Sequence, residues 1–306
     1  MIEIRENVSL APFTTFRIGG PARYFVETKN EEEIREALHY ATRHKLAFFI
    51  LAGGSNILVP DEGLEAFVIN IAGGEFKIEG TTITADAGKT LLTIMRTASK
   101  EGVGGWEKLG GIPGTIGGAV RGNAGAFGPE IKDFIVSVTA LNSKTQETCV
   151  FGNKECEFAY RDSFFKRNPE WIILSLQLRL QPVDPAASEK LIEETIAERE
   201  KRHIQDVRAA GSFFVNPGVP AEIQEEFERE KNVLSREGRV PAGWLIEKVG
   251  MKGAKVGGAE SSPQQANYIV NTGNATAKDV LTLAAEIKEA VRARYGVVLQ
   301  EEAVIL

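Results

Sequence analysis

The sequence predicts an α+β protein of three domains, and three observations carry that expectation. Helical and strand patterns alternate along the chain without an internal repeat, and the patterning turns plainly β from Phe76. A break at Pro182-Val183-Asp184-Pro185 then precedes a highly charged helix and a third segment. The expected divisions are residues 1–72, 73–205 and 206–296, with a C-terminal strand over 297–306 returning to the active site.

Each element has a local reason. Asn30 caps a helix opened by Glu31, Glu32 and Glu33, acids that suit its positive end, and Ile34, Leu38 and Ala41 give helical spacing. Phe48–Leu51 reads as a buried strand that ends in Ala52-Gly53-Gly54-Ser55-Asn56. Alternation at Lys77-Ile78-Glu79 and Thr82-Ile83-Thr84 predicts strands, followed by a helix through Leu91, Leu92, Met95 and Ala98. Strand pattern resumes at Phe134–Leu141 and at Trp171–Leu180, where Leu174, Leu176, Leu178 and Leu180 alternate with Ser175, Gln177 and Arg179. A charged helix runs from about Glu189 to His203. The third segment starts near Arg208 and ends in a long helix capped at Thr276, with Val280, Leu283, Ile287 and Val291 on one face and Gly296 as its stop. The last ten residues read as a strand.

Composition excludes several classes. A chain of 306 residues, 43% hydrophobic and 25% charged, is an ordinary globular protein able to bury real cores. A net charge of −6 argues against a general nucleic-acid binder. Cys149 and Cys156 read as buried, reduced thiols of a cytosolic protein. His39, His44 and His203 are too scattered for a metal cluster. The start, MIEIRENVSL, lacks the apolar core of a signal peptide, and no run approaches the ~18 apolar residues of a membrane span. The expectation is a cytoplasmic, metal-free protein with no membrane or nucleic-acid partner.

The most telling stretch is Gly102–Gly128, in which eleven of 27 residues are glycine. Ordinary usage would put about two there. Ile, Trp, Val and Phe within it argue against a flexible linker. Bare peptide and exposed N–H groups make concave anion sites, so the stretch reads as a cradle for a large phosphate-bearing cofactor. Two familiar nucleotide motifs fail. Gly88-Lys89-Thr90 lacks the upstream glycine of a phosphate loop, since that position is Ile83, and the Gly102/Gly104 pair is followed by Glu107, so no GxGxxG exists.

Leu51–Leu58, Gly111–Ala119 and Asn123–Gly128 together resemble the FAD-binding module of the vanillyl-alcohol-oxidase (PCMH) type. Within that superfamily the motif order is similar to that of the UDP-N-acetylenolpyruvoylglucosamine reductases. The supporting pieces are Thr14–Ala22, Tyr160–Phe164, Ala210–Phe214, Ala242–Glu247 and the Asn267–Asn271 stretch followed by Ala275-Thr276-Ala277. The resemblance spans nearly the whole chain. It implies that the first two domains form the FAD module and the third an α+β substrate domain, and that the chain belongs to the branch without an extra tyrosine loop.

The resemblance also implies roles. Arg161, Ser212 and Glu302 fall on the catalytic positions, with Glu301 as second choice for the last. Gly53, Gly54, Ser55, Asn56, Ile57, Ile112, Pro113, Gly114, Thr115, Gly117, Gly118, Ala119, Asn123 and Gly125 fall on flavin positions. Asn56, Tyr160, Asn216 and Gln265 fall on positions that meet the UDP-linked sugar. NADPH is the implied hydride donor, and the implied reaction reduces an enolpyruvyl ether for peptidoglycan synthesis by a monomer or weak oligomer. The chemistry suits those residue types: a guanidinium holds a carboxylate bidentately as charge builds beside it, and a hydroxyl delivers the proton. Departures are Val215 where lysine is common, Arg121-Gly122 before Asn123, and Val304 where arginine is usual. Arg199, Lys201, Arg202 and Arg208 are nearby in sequence and read either as a solvated helix face, the reading that suits most of them, or as replacements for the missing lysine. The rivals are another FAD oxidoreductase of this fold and a non-catalytic nucleotide-sugar binder.

Overall fold

The computed structural model describes residues 2–202, 208–235 and 237–306. His203 therefore lies outside the described residues, as do the expected 205/206 division and the side chain of Arg202. In chain order the strands are β1 (Arg5–Ser9), β2 (Pro21–Thr28), β3 (Phe48–Leu51), β4 (Ile57–Leu58), β5 (Leu64–Ile71), β6 (Phe76–Glu79), β7 (Thr82–Asp86) and β8 (Val103–Gly104). They continue with β9 (Ile135–Asn142), β10 (Thr148–Gly152), β11 (Trp171–Arg179), β12 (Gln181–Pro182), β13 (Lys255–Val256), β14 (Ala259–Ser261), β15 (Ile269–Asn271) and β16 (Val304–Ile305). The helices are α1 (Glu31–Arg43), α2 (Leu91–Lys100), α3 (Ile116–Arg121), α4 (Phe164–Arg167), α5 (Pro185–Arg202), α6 (Ala221–Lys231), α7 (Ala242–Lys248) and α8 (Ala277–Tyr295).

The chain divides into two compact units. The first comprises residues 1–8, 22–53 and 65–201, and the second residues 9–21, 54–64 and 202–306. This differs from a linear division at residue 72. Phe16, Ile18 and Leu58 sit in the core built by α7, α8 and the C-terminal segment, so the stretches that carry them belong to the second unit. The break at Pro182 is not a boundary, because Gln181 and Pro182 pair with β8 and Asp184 caps α5 by accepting from the Ala187 N–H at 2.8 Å.

Two cores share the first unit. A four-stranded sheet of order β1-β2-β5-β3 packs under α1, whose Ile34, Ala37, Leu38 and Ala41 join Phe67, Ile69 and Ile71. Asn30 caps α1, with its Oδ1 accepting from the Glu33 N–H at 2.9 Å. β3 lies at the edge of this sheet, so Phe48 is 37% exposed and the strand is only partly buried. A five-stranded sheet of order β10-β9-β11-β7-β6 packs with α2 and α3. Here the expected single leucine face of β11 splits. A register shift between Ile173 and Ser175 sends Ile172 and Leu174 into the α1 core, while Leu176, Leu178 and Leu180 enter the α2 core. Cys156 is buried and its thiol is pushed up to about 12 by burial, but Cys149 is exposed on the edge strand β10 and both thiols are free.

The second unit is organised by α8. Thr276 and Asp279 form a reciprocal capping box, Val280, Leu283, Ile287 and Val291 are fully buried, and Gly296 ends the helix at φ 67°. The expected strand over 297–306 shrinks to Val304–Ile305, which pairs parallel with Ile57–Leu58. Among the described residues no helix is long and apolar enough to cross a membrane.

Candidate active site

In the first unit, two loops meet as bare backbone. A Cβ placed on Gly53 would lie 2.6 Å from the Gly114 Cα, so the first loop tolerates no side chain there, and Gly114 itself sits at φ 105°, a conformation that favours glycine. Buried Asn70, next to the C-terminal end of β5, fixes the approach by donating from Nδ2 to the carbonyls of Leu51 and Ala52, both at 3.1 Å. α3 follows, with the Thr115 hydroxyl accepting from the Gly118 N–H at 3.2 Å. Gly117 presses on Ala87, just past the end of β7, since its Cβ would come within 2.6 Å of the Ala87 Cβ, whereas Gly118 is exposed and a Cβ there would make only ordinary contacts.

The N–H inventory tests whether this cradle fits a phosphate. The first amides of α3 are spent, Ile116 on the Lys89 carbonyl at 2.8 Å and Gly117 on the Ala87 carbonyl at 2.9 Å. Among the described residues the amides of Gly53, Gly114 and Thr115 donate to no backbone carbonyl. A diphosphate therefore fits the loop amides at the Gly53–Gly114 approach rather than the helix end. Ile112 is half-buried, Pro113 is exposed and Ala119 is buried. Asn123 is fully buried, donating to the Ala159 carbonyl at 2.8 Å and to Glu130 Oε2 at 3.0 Å while its Oδ1 accepts from the Lys132 N–H at 3.3 Å. Its side chain staples three loops, so any flavin contact falls to its backbone.

The same loops seat Arg161. Its backbone is held at φ 56°, a strained value for a residue with a side chain. Nη2 donates to the Gly125 carbonyl at 3.0 Å, the guanidinium lies 5.2 Å from the centre of the Tyr160 ring, and Lys166 Nζ donates to the Arg161 carbonyl at 2.8 Å. Asp162 pairs with Arg167. Arg121, at the end of α3, has its pKa lowered by burial, partly offset by Asp162. Arg199 packs its stem on the glycine loop, with Cδ 2.9 Å from where a Gly111 Cβ would stand.

In the second unit Ser212, Glu302 and Asn56 lie on neighbouring segments. Phe214 pairs antiparallel with Glu301, the Val215 N–H donates to the Gln300 carbonyl at 2.9 Å, and the Glu302 N–H donates to the Phe213 carbonyl at 2.8 Å. Asn56 Nδ2 donates to the Glu302 carbonyl at 3.0 Å, and the Val304 N–H returns to the Asn56 carbonyl at 3.0 Å. Ile57 is buried in β4 beside Val304. Glu301 Oε1 accepts from Lys288 Nζ at 2.7 Å, which ties Glu301 to α8. Gly54 is buried and packs on the Phe13 carbonyl, where a Cβ would lie 1.9 Å away, while Ser55 beside it is half-buried. Asn216 Oδ1 accepts from the Ala242 N–H at 3.0 Å, capping α7 in place of Pro241, and its NH₂ remains to donate. Half-buried Gln265 fills the space left by Gly243, where a Cβ would lie 2.8 Å from its Oε1.

Sequence reasoning passed over Asn70 and gave no role to Asn267 within its motif. A polar amide inside the otherwise apolar run Phe67–Ile71 was the available signal for the first.

The fold and the cradle define an FAD-binding class of protein: the profile of the FAD binding domain family matches residues 22–148. The profile described as the UDP-N-acetylenolpyruvoylglucosamine reductase C-terminal domain matches residues 202–306. A reductase of that name from Carboxydothermus hydrogenoformans is 37% identical, over 99% of this chain and 94% of its own length. One from Solibacter usitatus is 34% identical, over 98% and 96% respectively. The crystal structure of the enzyme from Thermus caldophilus superposes with a TM-score of 0.77 at 30% identity, covering 100% of this chain and 98% of that one. The chain belongs to the UDP-N-acetylenolpyruvoylglucosamine reductase family.

Proposed function

We infer that this chain reduces the enolpyruvyl ether of UDP-N-acetyl-3-O-(1-carboxyvinyl)-glucosamine to UDP-N-acetylmuramate for peptidoglycan synthesis, with FAD as its redox group and NADPH as hydride donor. The observation that carries this reading is likeness to reductases of that name along nearly the whole of both chains. When bound, FAD stores a hydride between the nicotinamide and the vinyl acceptor. The loop amides of Gly53, Gly114 and Thr115 hold its diphosphate.

The remaining work falls to side chains. Hydride arriving at the terminal vinyl carbon leaves negative charge on the carbon beside the carboxylate. Arg161, steadied by the Gly125 carbonyl and the Tyr160 ring, binds that carboxylate and stabilises the charge. The Ser212 hydroxyl delivers a proton to the charged carbon. Glu302, whose carbonyl is gripped by Asn56, orients the acceptor or supports the proton path. The Asn216 NH₂ and Gln265 face the nucleotide sugar. The reading carries with it a cytoplasmic location and a monomer or weak oligomer, and requires neither nucleic acid nor membrane.

Anaerobic mixing tests it. NADPH should bleach the flavin, and the enolpyruvyl sugar nucleotide should restore the colour with one product per flavin. Recolouring by oxygen or a small alcohol, with the sugar nucleotide ignored, would instead point to another flavin oxidoreductase.

A further inference from the structure

Buried Asn267, 4% exposed, sits against the segment that follows Ser212. Its Oδ1 accepts from the Phe214 N–H at 3.0 Å and its Nδ2 donates to the Phe214 carbonyl at 2.8 Å. Its own carbonyl accepts from the Phe213 N–H at 2.7 Å. The geometry explains why an amide is needed. In an antiparallel pair the polar backbone groups of successive residues point to alternate sides. Val215 N–H and Phe213 C=O face the Gln300–Glu302 segment, so both polar groups of Phe214 face away from it. A side-chain amide is uncharged at neutral pH and offers a donor and an acceptor side by side, and so imitates a missing strand.

We propose that Asn267 is a positioning residue that sets the Ser212 hydroxyl against the substrate, by clamping the free edge of Phe213–Phe214 while Gln300–Glu302 hold the other. This rests on the reading of Ser212 as proton donor.

Asn267→Asp tests it, because a carboxylate keeps the acceptor but faces the Phe214 carbonyl with a second oxygen. Only the protonated acid restores the donor, and burial beside a carbonyl raises the pH at which it protonates. The charged groups on the packed elements are Glu301 with Lys288, Glu302, Glu247 with Lys252, and Lys248 with Glu226 and Glu230. None of them changes in the variant. At pH 8 flavin reoxidation by the enolpyruvyl substrate should slow on the order of a hundred-fold, the size of effect a ~1 Å displacement produces, while reduction by NADPH is unchanged. Towards pH 6 the variant's reoxidation should recover at least ten-fold relative to wild type. Ser212→Ala is measured in parallel. If Ser212→Ala slows reoxidation and Asn267→Asp does not, or slows it without recovery in acid, the positioning role is refuted. If Ser212→Ala itself leaves reoxidation intact, the proton-donor reading falls first. Flavin content and melting temperature show that the variant is folded, and equal slowing of both half-reactions would also overturn the proposal.

Discussion

In the first unit, Gly53 and Gly114 approach until no side chain fits between them; in the second, Phe213–Val215 is gripped on both edges by explicit hydrogen bonds, one edge by the amide of Asn267. The first region gains definition by removing atoms, which leaves backbone N–H groups bare for a large anionic cofactor. The second gains it by adding polar side chains, with Asn56, Asn216 and Asn267 each standing in for a backbone partner. A cofactor that stays bound between turnovers suits an open peptide surface. A hydroxyl that must meet one carbon suits a backbone fixed in register.

Gly53→Ala strikes the first region at its closest approach and should have the largest effect on the contrast. Overpacking costs about 1–3 kcal/mol, so FAD affinity of the refolded apoprotein should fall roughly 5- to 150-fold by fluorescence titration. Unchanged affinity would place the flavin elsewhere.

A finer test contrasts the two glycines of α3. Gly117→Ala should lower stability to urea by about 1–3 kcal/mol, because its Cβ meets the Ala87 Cβ at 2.6 Å. Gly118→Ala should leave apoprotein stability within ~0.5 kcal/mol and weaken only FAD binding. Equal effects of the two would show that the exposed face of α3 does not meet the cofactor.

The smallest expected effect uses pH to separate the units. The Lys248 hydrogen bond, helped by Trp244 and Lys231, holds the Glu230 carboxyl at about 2, below its ordinary 4.5. A lowered folded value means that the contribution is complete above pH 4.5 and is lost as pH falls towards 2. Protection factors for amide exchange in α6 and α7, corrected for the intrinsic rate at each pH, should therefore fall in acid, and Lys248→Met should flatten that dependence without altering protection in α1.

Legibility in the sequence followed range. α1 and α8 were readable because Asn30, Thr276 and Gly296 act within a turn of the helices they bound. The glycine stretch was readable as a cradle because its composition fits nothing else, although which amides remain unspent depends on partners such as Lys89 and Ala87. The Leu174 bulge was hidden because one extra residue reverses the faces of a strand without altering its alternation. The discontinuous second unit was hidden for a similar reason, since Phe16 and Leu58 meet a core more than 150 residues away along the chain. Of the site, Ser212 and Glu302 came from motif likeness, and the pairing of Phe213–Val215, next to Ser212, with Gln300–Glu302 became visible only in three dimensions. Asn267 looks like any loop asparagine until Phe214 is placed beside it.

The most direct measurement is rapid anaerobic mixing of Ser212→Ala in two steps. Reduction by NADPH should stay within about two-fold of wild type, while reoxidation by the enolpyruvyl sugar nucleotide slows roughly 10²- to 10⁴-fold, the usual worth of a positioned proton donor. Equal losses in both steps, or no loss in either, would contradict Ser212 as the group that delivers the proton.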